Sequence, residues 1–202
     1  MKKIILICLA MLLAPLTQAA PLFKEGVNYD VVRQTGSAKP EVMEFFSYYC
    51  PHCFQFEPII QALRADLPAD VAFVRNPVSF LGREMGAELQ RAYALAIMLK
   101  VEDKFTPIMF DLIQVKRQPP KDRAAVKAIF EQLGVSGEEF DGAIDSFAVT
   151  GQVAQYDRNT ASLNIRGVPS TVVNGKYLVK SESLKSQDEY DQLVSFLLNK
   201  AD

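Results

Sequence analysis

The sequence predicts an α/β domain into which an all-helical domain is inserted. Three observations carry that reading: a strand–helix–strand run near residues 41–75, a strandless helical stretch from about 81 to 157, and a strand–strand–helix ending from 170 onward. The chain has 202 residues, 49% of them hydrophobic. That is enough apolar material for one domain with a real core and a large insertion.

The first residues read as an address. Lys2 and Lys3 precede an apolar run over residues 4–13, then Ala14, Pro15 and small residues, the order of a secretory signal. The run falls short of the ~18 apolar residues of a membrane span. Cleavage is expected after Ala19, with Thr17 as the small residue two before it, because a cut after Ala20 would leave Pro21 just past the cleavage point. Loss of residues 1–19 removes Cys8 and two lysines, leaves Cys50 and Cys53 as the only thiols, and moves the formal charge from -2 to -4. An exported chain matures where disulfides persist. No second run is apolar and long enough to cross a bilayer.

Residues 41–47 (EVMEFFS) and 71–75 (VAFVR) read as buried strands. The segment between them, residues 50–67, reads as a helix that Pro58 kinks by removing one backbone donor. Strand, helix, strand is the unit from which parallel sheets are built. In the helical block, Val126, Ile129, Phe130 and Leu133 share one face and Gly134 supplies a stop. Ser136 with Glu139 makes a capping box, and Thr106-Pro107 reads as a helix start with proline in the first turn. Strand character returns at 170–173 and 176–180, joined by Asn174-Gly175, a strong hairpin signal because both residues tolerate positive φ. Ser186 and Glu189 cap a closing helix whose Tyr190, Leu193, Val194 and Leu197 face one way. The expected division is residues 20–80 plus 158–202 for the α/β domain and 81–157 for the insertion.

Charge and composition exclude several functions. An isoelectric point near 5.6 argues against nucleic acid, which needs clustered Lys and Arg. A single histidine cannot assemble a three-histidine zinc site.

Cys50-Pro51-His52-Cys53 follows a strand and opens a helix. A structural disulfide there would close a four-residue ring, worth only ~2 kcal/mol by loop entropy. A zinc site would need a carboxylate or a second chain to complete four ligands. Redox catalysis is the reading that the strand-to-helix context favours. At a helix N-terminus Cys50 faces unsatisfied N–H groups and the positive end of the dipole, an effect of up to ~2 kcal/mol that favours the thiolate. His52 adds a donor and, when protonated, a charge; its alternative is an exposed side chain without a role. Cys53, one turn on, reaches back as the less exposed, resolving thiol. Pro51 is also an ordinary first-turn proline.

The segments EFFSYYCPHCFQFEP and GVPSTVVNGKYLV closely resemble the DsbA family of thiol:disulfide oxidants in the thioredoxin superfamily, and the likeness covers essentially the whole mature chain. The resemblance implies a thioredoxin fold with an inserted all-helical domain. It implies that Cys50 and Cys53 are the catalytic pair, that His52 tunes them with Pro51 beside it in the site, and that Val168-Pro169 is a cis peptide facing them. Glu44, on the strand face of Val42 and Phe46, stands where the family places a proton-transferring acid, with Arg75 near it. Glu57, four residues after Cys53, reads as a solvated charge, and Pro77 departs from a histidine common in close relatives. Further implications are a periplasmic monomer without metal or organic cofactor. Its substrates would be unfolded secreted proteins, held beside Val168 and in an apolar groove, and a DsbB-type membrane quinone reductase would restore the disulfide.

Overall fold

A computed structural model describes residues 23–200; the signal segment, with Cys8, lies outside the described residues. Five strands form one sheet. In chain order they are β1 (Tyr29–Val31), β2 (Glu41–Phe46), β3 (Ala72–Pro77), β4 (Ser170–Val173) and β5 (Tyr177–Val179), and in space they run β1-β5-β4-β2-β3. Only β2 and β3 pair in parallel, so they need a crossover, and helix α1 (Pro51–Asp66) supplies it. Asn174 and Gly175 have φ of 52° and 60°, the geometry that lets β4 turn directly into β5.

The insertion carries five helices: α2 (Glu84–Met98), α3 (Glu102–Phe110), α4 (Arg123–Gln132), α5 (Gly137–Ala143) and α6 (Phe147–Ser162), with a π-helical turn over Asp111–Val115 after α3. One helix, α6, continues through position 157 to the sheet. Helix α7 (Gln187–Leu198) closes the chain. Ser136, Ser146 and Ser186 each accept from the backbone N–H three residues on, satisfying a donor that the helix leaves open.

Thr106-Pro107 does not start a helix. Helix α3 begins at Glu102, a turn earlier, where Glu102 and Asp103 place negative charge at its positive end. Pro107 sits inside it. The second predicted strand is displaced as well: Val71 donates to the Pro68 carbonyl in a turn, and pairing begins at Ala72.

The core has three parts. Leu63 of α1 and Tyr190, Leu193, Val194 and Leu197 of α7 cover one sheet face over Val42, Val173 and Tyr177. Met43, Phe45 and Val172 meet Leu163 and Ile165 on the other. The third is the helical block, with Phe105, Phe110, Phe130 and Phe140, and it runs on through Phe46 and Tyr48 to Cys50 and Cys53. The cysteines therefore sit where the inserted helices pack against the end of the central strand.

Candidate active site

Cys50 is the N-cap of α1, and its sulfur accepts from the Cys53 N–H at 3.1 Å. Its thiol donates to the Val168 carbonyl at 3.3 Å. The Val168-Pro169 peptide is cis. Cys50 is 5% exposed and Cys53 fully buried, both as free thiols. Pro51 and His52 are exposed on the rim. Sequence positions more than a hundred apart thus meet at one sulfur.

The two thiols are electrostatically unlike. A hydrogen bond from the Cys53 thiol, with further help from the backbone N–H groups of Cys53 and His52, pushes Cys50 down to about 7, against burial and the Glu44 charge. The same thiol pairing, with burial, drives Cys53 well above the usual thiol range. A sulfur that ionises easily beside one that holds its proton is suited to thiol–disulfide exchange at the first and release at the second.

Glu44 is fully buried beneath this pair. Burial raises its carboxyl above the ordinary range, partly opposed by Arg75, with Glu57 raising it further. Arg75 Nε donates to Glu44 at 2.6 Å, and its Nη2 forms an ion pair with Glu57. The guanidinium also lies over the Phe46 ring, 4.2 Å from its centroid. Glu57 is therefore not a solvated charge. The spacing from Cys53 predicted which face it occupies, but only the register of β3 brings an arginine to it. Pro77, the last residue of β3, contributes its carbonyl to Gln90, at 2.9 Å.

The loop before Cys50 is fastened to the inserted helices. The Tyr48 hydroxyl bonds Thr106 at 3.1 Å, and Gln114 donates to the Tyr48 carbonyl at 2.7 Å. Gly82 packs so closely on Tyr49 that a Cβ there would lie 2.2 Å from its ring. Nothing in residue type or spacing announced these anchors.

Among the described residues no group of His, Cys, Asp and Glu is arranged to hold a metal ion, and no helix is long and apolar enough to cross a membrane. A cleft of about 810 Å³ opens beside α1, between it and α3. Val168, Pro169 and His52 do not line it.

A family model described as the DSBA-like thioredoxin domain matches residues 41–197. The chain is 41% identical over 208 residues to the thiol:disulfide interchange protein DsbA of Dickeya dadantii, covering 98% of this chain and 99% of that one. It is 34% identical over 209 residues to the protein of that name from Escherichia coli K12, covering 99% and 100%. Among solved structures, the disulfide oxidoreductase DsbA from Proteus mirabilis is 35% identical, with a TM-score of 0.80 over 88% of this chain and 98% of that one. A serine variant of that protein with a non-covalently bound peptide, PWATCDS, gives a TM-score of 0.82 at 33% identity, over 88% and 99%.

Proposed function

The chain belongs to the family of DSBA-like thioredoxin domains, and from that premise we propose that it oxidises cysteine pairs in newly exported, unfolded proteins. It is a thiol:disulfide oxidoreductase; the direction, clients and steps are our reading. The observation that carries it is the asymmetry of the two thiols, Cys50 held near 7 and Cys53 far above it.

In the oxidised enzyme Cys50 and Cys53 share a disulfide. A client thiolate attacks the Cys50 sulfur, the Cys50–Cys53 bond breaks, and Cys53 departs with the electron pair and takes a proton. The client's second thiolate then attacks its own sulfur in the mixed disulfide and Cys50 leaves as thiolate. The client has lost two electrons and two protons, of which Cys53 holds one and water or the Cys50 thiolate takes the other, and the enzyme is reduced. Because Cys50 is stable as a thiolate, it is a good leaving group, which favours release of oxidised client.

Glu44 is the group beneath Cys53 able to hand it a proton. His52 and Pro51 tune Cys50 from the exposed rim. Val168 and Pro169 present backbone to an extended client segment, a mode that reads main chain rather than side chains. One chain holds the groups that client oxidation uses, which supports reading it as a monomer in the periplasm. The electrons stay on sulfur, and no metal or organic cofactor enters. A membrane quinone reductase of the DsbB type takes the two electrons from the dithiol and restores the disulfide.

The test is the thiol–disulfide equilibrium of Cys50 and Cys53 in glutathione buffers. A midpoint on the oxidising side of the glutathione couple is expected, and one as reducing as thioredoxin would turn the reading into that of a reductase. Cys50→Ser is expected to abolish client oxidation; retained turnover removes Cys50 from its role.

A further inference from the structure

Helix α1 offers a second face to the site, away from Val168. Phe54, Pro58, Gln61 and Ala65 recur at helical spacing along it and form one wall of the cleft; Pro107 and Phe110 of α3 form the other. From Phe54 to Ala65 the wall runs about 16 Å, room for roughly five residues of extended chain. The cleft opens at Phe54, the residue after Cys53, whose ring lies 5.8 Å from that of Phe110. It begins one turn along α1 from Cys50, and Phe54, Pro58, Pro107 and Phe110 give it apolar walls.

The polar groups left over in it are chiefly acceptors. Asp103 is matched by Arg64 at 3.2 Å and Asp111 by Lys116 at 2.7 Å, while Arg75 is held by Glu44 and Glu57. Glu102 lines the cleft and has no ion-pair partner among the described residues. Pro58 has no N–H to give the Phe54 carbonyl, and Pro107 has none for Asp103, so each wall contains a carbonyl without its helical donor. A smaller cavity of about 280 Å³ shares Arg64, Arg75, Tyr93 and Glu102 with the cleft and is also lined by Tyr156. The Tyr156 hydroxyl is buried with no hydrogen-bond partner, Gln152 being the polar side chain near it. Glu102 therefore stands where the two cavities meet, and Tyr156 lines the smaller of them.

We propose that this cleft is a second client subsite, which takes an apolar run of the client chain carrying a lysine or arginine whose charge lands on Glu102. The apolar side chains lie between Phe54, Pro58 and Phe110, and the cationic head reaches Glu102. Clients with such a run near a cysteine are thereby held on both flanks of α1, one by backbone at Val168 and the other by side chains. The inference rests on the oxidoreductase reading above and gives it a substrate preference.

The experiment compares two dithiol peptides that share an apolar run beside the first cysteine and differ only by Lys or Glu within it. Rate constants for their oxidation by the oxidised mature protein are measured side by side, so that the ratio cancels any change in the disulfide itself. Wild type is expected to favour the Lys peptide by about fivefold, with the ratio falling towards one at high salt. Glu102→Gln is expected to bring the ratio near one at low salt, and Gln61→Trp, which fills the cleft, to slow the Lys peptide towards the rate of the Glu peptide. A wild-type ratio of one, or an unchanged ratio in Glu102→Gln, overturns the subsite. Failure to oxidise either peptide, with dithiothreitol also left unoxidised, overturns the oxidoreductase reading on which it rests.

Discussion

Glu44 and Arg75 are register partners on adjacent parallel strands, and Arg75 Nε approaches a Glu44 oxygen to 2.6 Å where both side chains are buried. Burying two charges costs several kcal/mol each, and the pair recovers that only while both members and their hydrogen bonds are present. Here Glu57 supplies the second carboxylate, and against the lowering effect of burial the two acids hold the Arg75 guanidinium above its ordinary value.

Arg75→Met is accordingly expected to destabilise the protein by about 3–5 kcal/mol, because two carboxylates are left in the interior without their cation. The deficit should shrink on acidification. Burial already raises the Glu44 carboxyl, and without the guanidinium that rise is unopposed, so the loss is full at high pH and is relieved as pH falls through the raised folded value. Arg75→Lys keeps the charge but not the planar fork and should cost less. Urea unfolding from neutral pH downward measures all three.

Thiolate formation at Cys50 is expected to have its midpoint at about 7, read from the ultraviolet absorbance of the dithiol protein and absent in Cys50→Ser. The folded value lies below the unfolded one. This group's contribution to the stability of the reduced protein is therefore complete above the unfolded value near 9 and lost as pH falls through about 7. Unfolding of the reduced protein against Cys50→Ser between those limits checks the sign, and a flat difference would contradict it.

Gly82→Ala is expected to cost about 1–3 kcal/mol and to slow client oxidation. The residue has φ +84°, and its new Cβ would overlap the ring of Tyr49, which precedes Cys50. Thermal unfolding gives the first effect and a peptide oxidation assay the second. A variant that loses stability but keeps wild-type rates would mean that Tyr49 moves without disturbing Cys50.

Much of this was legible from residues 41 to 75 and from 170 onward. Alternation, a cysteine at a strand-to-helix junction, Asn174-Gly175 and the serine caps are local signals, and the helices and turns they predict are present. The short strand Tyr29–Val31 carried no such signal, since three residues cannot display a period and its pairing partner is β5. The ion pair of Glu57 escaped for a related reason: it depends on how β3 lies beneath α1, a relation between elements. The start of α3 misled because proline in a first turn and proline further inside a helix look alike until the acids ahead of it are weighed. The anchors at Thr106 and Gln114 and the cleft beside α1 depend on the angle between packed helices, which no short window contains.

The pairing of Val42 with Val173 has a consequence in time. The central strand and both cysteines leave the ribosome long before the strand that completes the sheet, and with it Val168. Until then Cys50 has its helix but not its facing carbonyl, and β2 keeps an open edge. The reactive sulfur thus acquires its facing carbonyl only after the whole helical insertion has been made.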